Sequence, residues 1–112
     1  MSTIEQNIFE HSNVFRFSEK VDYSQGGIVS KRVLDKPVGT ITLFSFDKKQ
    51  RLSTHSAPFD AMVQVIEGKA EIIINDVSFQ VETGETIIMP AGIQHAVNAI
   101  EKFKMVLTMI KG

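Results

Sequence analysis

The chain has 112 residues and a formal net charge of −1, and 43% of its residues are hydrophobic while 22% are charged, which is typical of one globular domain. Its 12 basic and 13 acidic residues are spread along the sequence, so we expect no nucleic-acid partner, because phosphate binding needs a concentrated basic surface. Cysteine is absent, which excludes disulfides, thiolate nucleophiles and cysteine metal ligands.

The N-terminal third of the sequence, residues 1–38, shows no clear hydrophobic period. It carries neither the basic nor the apolar segment of a secretory signal, and no apolar run approaches the ~20 residues of a membrane helix, so we expect a cytoplasmic protein without a membrane partner. Apolar residues such as Ile4 favour an arm or edge strands packed on the domain or on a second subunit, and disorder of the first few residues is the alternative. Gly26-Gly27 predicts a turn between two strands.

From Gly39 onward the sequence consists of short β-rich segments separated by turn residues. No helical pattern of about 10–15 residues separates them, which favours an all-β sandwich or barrel over a parallel sheet. We therefore predict one structural domain, with residues 39–112 as its main body and residues 1–38 as an arm and edge strands. The predicted strands are 39–46, 61–67, 70–75, 78–82, 86–89, 95–100 and 103–110.

The stretch GETIIMPAGIQHAVN combines turn residues with a histidine at fixed spacing. Gly84 permits a tight turn before a strand, Pro90 ends that strand, and Gly92 allows the loop to reverse so that His95 points back into the barrel. The spacing resembles the second motif of the cupin family, with Asn98 one residue earlier than the family pattern.

The first cupin motif survives only in part, in the stretch THSAPFDAMVQVIEG. His55 and Gly68 match it, whereas Ala57 stands at the position of the second histidine, Ala61 at that of the glutamate and Lys49 at that of the leading glycine. The resemblance implies a double-stranded β-helix, or jelly roll, of the RmlC-like cupin type, commonly packed as a homodimer.

Strand alternation indicates which side chains meet in such a barrel. Every second residue from His55 to Val65 lies on one face if the strand is regular, and the resemblance places His95 across the barrel from His55. That face is apolar apart from one imidazole. The predicted ligand pocket consists of His55, His95, Ala57, Phe59, Ala61 and Val63.

A cupin metal site typically uses three histidines and one carboxylate, whereas only His55 and His95 match here. Two neutral nitrogens without a carboxylate compensate poorly for the hydration that a divalent ion loses in an apolar cavity. Asp60 and Gln64 face away from His55 in regular alternation, and Asp60 would help only if a bulge near Pro58 turned it inward. We therefore predict no firmly bound cofactor, and the alternative is a divalent transition metal held weakly by the two histidines.

These features favour a small-molecule binding protein in which two histidines are the polar contacts of an apolar pocket. One alternative is an enzyme, either a metal-dependent oxygenase or isomerase with a reduced ligand set or a metal-free acid–base catalyst. Another is an interaction protein with a vestigial pocket, since this fold hosts many activities. The sequence does not identify the ligand. Lys104 is expected on a solvated face, and His11 is expected to have no role in the site.

Overall fold

The computed structural model describes residues 8–111, so the expectation about the first few residues, including Ile4, lies outside the described part. No helix among the described residues is long and apolar enough to cross a membrane. Those residues form a short 3-10 helix at Phe17–Glu19 and eight strands. The strands are β1 (Ile28–Lys36), β2 (Gly39–Phe46), β3 (Arg51–His55), β4 (Asp60–Ile74), β5 (Val77–Glu82), β6 (Thr86–Met89), β7 (His95–Asn98) and β8 (Phe103–Ile110).

The strands are antiparallel in the order β1-β2-β8-β4-β7-β3, and β5 and β6 each pair with β4. Strand β4 runs through two layers, because its first half pairs with β6 and β8 and its second half with β5 and β7. The first layer contains β1, β2, β8, β6 and the start of β4. The second contains β3, β7, β5 and the end of β4. This arrangement confirms the predicted all-β jelly roll.

A glycine allows β4 to pass from one layer to the other. Residues 61–67 and 70–75 are predicted as separate strands, but both belong to β4. Gly68 does not end the strand; it has φ +83° and lies where β4 leaves β8 and joins β5. A Cβ at this position would collide with the carbonyl oxygen of Lys102 and lie 2.9 Å from Cα of Phe103. Gly68 is therefore needed for the close approach of two strands as well as for its positive φ.

The main hydrophobic core lies between the two layers. Phe46 and Phe103 stack there with ring centroids 4.6 Å apart and an interplanar angle of 11°, and both are fully buried. Val63 and Val65, which alternate along β4, pack into the same cluster, as the period-two geometry of a strand requires. The core therefore holds the two layers, and the side chains that they carry, at a fixed separation.

Residues 9–23 form an arm on the outer surface of the first layer. Phe9 and Val21 of the arm are buried against Leu43 and Val106 of the barrel. The arm thus packs on its own chain. Only one strand flanks the predicted glycine turn, since β1 begins directly after it and no strand precedes it among the described residues.

Lys104 anchors the arm, and the expectation that it lies on a solvated face is wrong. Its side chain is 9% exposed, and its Nζ donates a hydrogen bond of 2.7 Å to the carbonyl oxygen of Ser18. Nζ also lies 3.6 Å from Oε2 of Glu67, which accepts a hydrogen bond of 2.6 Å from the hydroxyl of Tyr23. Burial, and then the hydrogen bond and charge of Glu67, raise the pKa of Tyr23. Polar contacts therefore fix the arm in addition to apolar packing.

Candidate functional site

The two histidines of the predicted site occupy neighbouring strands of the second layer. His55 is the last residue of β3 and His95 is the first residue of β7, and the two are register partners. The register shifts between Leu52 and His55, and irregularities of this kind redirect side chains at strand ends. The Nε2 atoms of the two rings lie 3.2 Å apart, and the rings meet edge to face with centroids 4.4 Å apart.

The segment after His55 is not a regular strand, contrary to the expectation from the sequence. A loop at 56–59 separates β3 from β4. This loop contacts the loop at 90–94, because the amide of Gly92 donates a hydrogen bond of 2.8 Å to the carbonyl oxygen of Ala57. The contact holds the two histidine-bearing segments together at the same end of the barrel.

The other residues of the predicted pocket lie on β4 and on the loop before it. Ala61 and Val63 are 3% and 0% exposed and belong to the core between the layers. Ala57 and Phe59 are half-buried. The core side of β4 is therefore apolar, as alternation predicts, and the assignment of these four residues to a ligand pocket stays a prediction.

The imidazole pair lies where the barrel interior meets solvent. His55 is exposed, whereas His95 is only 6% exposed. The ammonium group of Lys111 lies 5.8 Å from the ring centroid of Phe59, in the loop that follows His55. The pair is therefore accessible to solvent on the side of His55.

Main-chain carbonyls favour the same tautomer in both rings. Nδ1 of His55 lies 2.8 Å from the carbonyl oxygen of Ser53, and Nδ1 of His95 lies 3.3 Å from that of Ile93. Because a carbonyl oxygen only accepts hydrogen bonds, each Nδ1 carries the hydrogen, and Nε2 of the neutral ring then holds a lone pair. When both rings are in this neutral tautomer, two lone pairs face each other at 3.2 Å and repel, and a hydrogen-bond donor, a shared proton or a cation between them relieves the repulsion.

Burial lowers the pKa of His95, and the neighbouring His55 lowers it further, while the contact with the carbonyl of Ile93 acts in the opposite direction. Desolvation disfavours the imidazolium ion, and a second positive charge beside it adds repulsion. His95 therefore favours its neutral form more than a solvated histidine does. In that form its Nε2 is an acceptor.

The donor atoms around the pair do not complete a metal site. Among the described residues, no group of three or more His, Cys, Asp or Glu side chains is placed to hold a metal ion. Ala57 and Ala61 contribute only methyl groups, Asp60 uses its Oδ1 to accept a hydrogen bond of 2.9 Å from the amide of Ala91, and Gln64 is exposed. Two imidazole nitrogens suit two positions on a transition metal, whereas catalytic sites usually have about three protein ligands.

Asn98, which completes the second motif, does not touch the imidazole pair. Its Nδ2 donates a hydrogen bond of 2.9 Å to Oε1 of Glu71 on β4, and the hydroxyl of Ser78 donates one of 2.6 Å to Oε2. These two hydrogen bonds lower the pKa of Glu71. The asparagine therefore links β7 to β4 and stabilises the second layer next to the site.

The sequence motifs give no indication of three further groups at this end of the barrel. Two are the carbonyls of Ser53 and Ile93, which leave no side-chain signal. The third is the hydroxyl of Thr40, a residue that is 4% exposed. Alternation within the predicted strand 39–46 places Thr40 on the same face as Phe46, so the pattern could have identified it.

Comparison with known proteins supports these observations. Residues 42–111 match the family model of the cupin domain. A conserved protein of unknown function from Streptococcus pyogenes is 42% identical with a TM-score of 0.89, over 100% of this chain and 96% of that one. A cupin 2 conserved barrel domain protein from Leptotrichia buccalis is 42% identical with a TM-score of 0.85, over 87% of this chain and 47% of that one. The chain therefore spans about half the length of the second relative.

Structural similarity extends further than sequence similarity. A cupin superfamily protein from Desulfitobacterium hafniense has a TM-score of 0.88 at 18% identity, over 98% of this chain and 100% of that one. At that identity the likeness shows the fold alone. No curated protein matches the chain.

Proposed function

The chain belongs to the cupin family, and on that premise we propose that it binds a small molecule at the mouth of its barrel through the paired imidazoles of His55 and His95. The observation that carries the proposal is the 3.2 Å separation of two Nε2 atoms whose lone pairs converge. Buried apolar side chains of β4, among them Ala61 and Val63, belong to the core between the layers, and the proposal places the apolar part of the ligand against this side of β4. An apolar wall with a few converging polar groups is typical of ligand sites.

The chemistry of the pair indicates what the ligand presents to it. Both Nδ1 hydrogens point to main-chain carbonyls, so the neutral rings offer acceptors and no donors to the ligand. Burial and the proximity of His55 favour the neutral form of His95. The proposed ligand therefore has a hydroxyl or N–H group at the pair and an apolar remainder against β4.

A metal-dependent enzyme with a reduced ligand set is the second candidate, because two converging nitrogen lone pairs also suit a transition metal. The donor set among the described residues ends at two imidazoles. The alanines at positions 57 and 61 leave no carboxylate to neutralise a divalent cation, which raises the cost of burying one. The residues present thus do not fit a complete metal site, and no reaction step is assigned to a metal.

Metal loading distinguishes the two candidates. The untagged protein is incubated in turn with iron, manganese, nickel and zinc salts, dialysed, and analysed for metal, alongside His55→Ala and His95→Ala. The matched control is His11→Ala, which removes the remaining histidine, an exposed one in the arm. We expect sub-stoichiometric metal in every sample. Stoichiometric metal that both site variants lose and the control keeps would overturn the metal-free proposal.

We also propose that the chain forms a homodimer through an uncovered part of the first layer. Outward-facing residues of five strands are successive register partners across this layer. Two surface cavities, of about 230 and 180 Å³, are each lined in part by residues of this row. We define the row Leu34, Ile41, Thr108, Met62 and Ile88, together with Val38 and Ile110, as the apolar face.

Exposure and charge favour a second copy of the chain as the partner of the apolar face. Ile88, Ile110 and Val38 are 60%, 61% and 69% exposed, and contiguous exposed apolar surface marks interaction sites. Lys36 and Asp60 lie on opposite sides of Ile110 in one register row. A two-fold axis parallel to the strands would place each lysine opposite the aspartate of the other copy, which is the self-complementarity that a symmetric dimer needs.

A further inference from the structure

One buried polar atom has no partner among the described residues. The hydroxyl oxygen of Thr40 is inaccessible to solvent and makes no hydrogen bond, and the residue is 4% exposed. Nearly all buried polar atoms in folded proteins are paired, because leaving one unpaired costs roughly as much as losing a hydrogen bond. A threonine in this position therefore weakens the fold unless another molecule supplies the missing contact.

Thr40 points into the barrel. Along β2, Phe44 and Phe46 pack in the core between the layers, whereas Ile41 and Leu43 pack under the arm on the outer surface. Because side chains alternate along a strand, Thr40 shares the inner face with the two phenylalanines. Its hydroxyl is therefore inside the barrel and not beneath the arm.

The hydroxyl lies at the same end of the barrel as the imidazole pair. Thr40 pairs in register with Met109, Met109 with Ala61, and Ala61 with Met89, so these four residues form one inward-facing row. Met89 ends β6, and the loop at 90–94 leads from it directly to His95. Adjacent strands are about 4.8 Å apart, so the row from Thr40 to Met89 covers three strand spacings, or about 14 Å, and its apolar side chains extend from the hydroxyl towards the segment that leads to the pair.

We propose that the hydroxyl of Thr40 is the second polar contact for the ligand of this pocket, a suggestion that rests on the proposed function. The imidazole pair accepts a hydrogen bond from one end of the ligand. The hydroxyl of Thr40 bonds an oxygen at the other end, and Ala61, Met89 and Met109 contact the apolar part between them. The ligand class is a short aliphatic molecule with a hydroxyl at one end and a hydroxyl or carbonyl oxygen at the other.

The first test uses stability and needs no ligand. Thr40→Val keeps the shape of the side chain and removes the unpaired hydroxyl. We expect the folding equilibrium constant to rise about fivefold, because the desolvation cost of an unmade hydrogen bond disappears. Thr108→Val is the matched control, since Thr108 is on the outer face of the same register row as Ile41 and is half-buried. An unchanged or lowered folding constant in Thr40→Val would show that the hydroxyl is satisfied in solution, for example by water, and would overturn the proposal.

The second test uses matched probes. Binding of 1,6-hexanediol and of 1-hexanol is measured by NMR titration of the wild-type protein, Thr40→Val, Thr108→Val and His55→Ala. We expect wild type and Thr108→Val to prefer the diol at least severalfold, and Thr40→Val to lose that preference while it still binds both probes. Diol preference that persists in Thr40→Val, or absence of saturable diol binding to wild type, would overturn the inference.

The same experiment separates this inference from the proposed function. If His55→Ala loses both probes while Thr40→Val behaves like wild type, the imidazole pair binds the ligand without Thr40, so the function stands and the inference fails. If both probes bind equally to wild type and His55→Ala, the proposed function fails as well.

Discussion

Replacement of Gly68 by alanine tests the account of how β4 joins the two layers. The residue has φ +83°, and a Cβ would collide with the carbonyl oxygen of Lys102 and lie 2.9 and 3.0 Å from Cα and Cβ of Phe103. The left-handed backbone costs an L-residue about 1–2 kcal/mol, which the smaller entropy of the unfolded alanine variant offsets by about 0.4–1 kcal/mol. Forced overpacking adds about 1–3 kcal/mol. We therefore expect Gly68→Ala to lower the free energy of unfolding by about 3 kcal/mol.

A matched glycine separates the two contributions. Gly84 has φ +88°, and a Cβ there would meet nothing within 4 Å, so Gly84→Ala reports the backbone cost alone, about 1 kcal/mol or less. Unfolding of both variants in urea gives the difference, and thermal unfolding of Gly68→Ala should shift by about 12 °C for a chain of this length. Equal effects of the two substitutions would show that β8 can move away from β4, and the close-approach argument would then be wrong.

Three further predictions concern the site, the arm and the apolar face. Because the pKa of His95 is lowered in the folded state, the unfolded state binds its proton more readily. The contribution of His95 to the free energy of unfolding is complete above about pH 6.5 and is lost as the pH falls towards its folded-state pKa. Urea unfolding across that range should show a weaker pH dependence in His95→Gln than in wild type. An equal pH dependence in the two proteins would refute the lowered pKa of His95. Lys104→Met should lower the free energy of unfolding by about 1–2 kcal/mol and speed hydrogen exchange in the arm. Lys48→Met, at an exposed position outside the arm, should do neither, and equal exchange in the two variants would contradict the anchoring role of Lys104. Ile110→Lys should yield monomers in sedimentation experiments. The control Ile100→Lys should leave a dimer, because Ile100 is 44% exposed but lies off the apolar face. A monomeric wild-type protein would rule out the interface.

Local turn chemistry explains which strands the sequence predicts well. The predicted bounds 39–46, 86–89 and 103–110 agree with the structure; Pro90, for example, directly follows the second of these strands. The merged strand β4 could not be predicted, because the requirement at Gly68 comes from the carbonyl of Lys102, a contact distant in sequence. A glycine that ends a strand and a glycine that admits a neighbouring backbone look the same in the sequence.

Side-chain environments were less predictable than strand positions. The family resemblance predicts that His95 approaches His55 from across the barrel; the structure brings the two together, but on neighbouring strands of one layer. The carbonyl groups that orient the rings are main-chain groups two residues before each histidine. Every residue type has a main-chain carbonyl, so the sequence does not indicate these contacts. The burial of Lys104 cannot be predicted from the sequence, because the arm that covers it has no periodic hydrophobic pattern to indicate where it docks.

The way in which the imidazoles are oriented has a consequence for protein engineering. Each ring is held by a main-chain carbonyl two positions before it and contacts the other ring, so neither contact involves the side chains at positions 57 and 61. Exchange of the half-buried Ala57 leaves both carbonyl contacts in place, whereas a glutamate at Ala61, which is 3% exposed, buries a carboxylate that needs a cation beside it. The barrel is accordingly a scaffold in which donor atoms can be introduced one at a time, Ala57→His before Ala61→Glu, to measure how much each new ligand adds to metal affinity on a constant background.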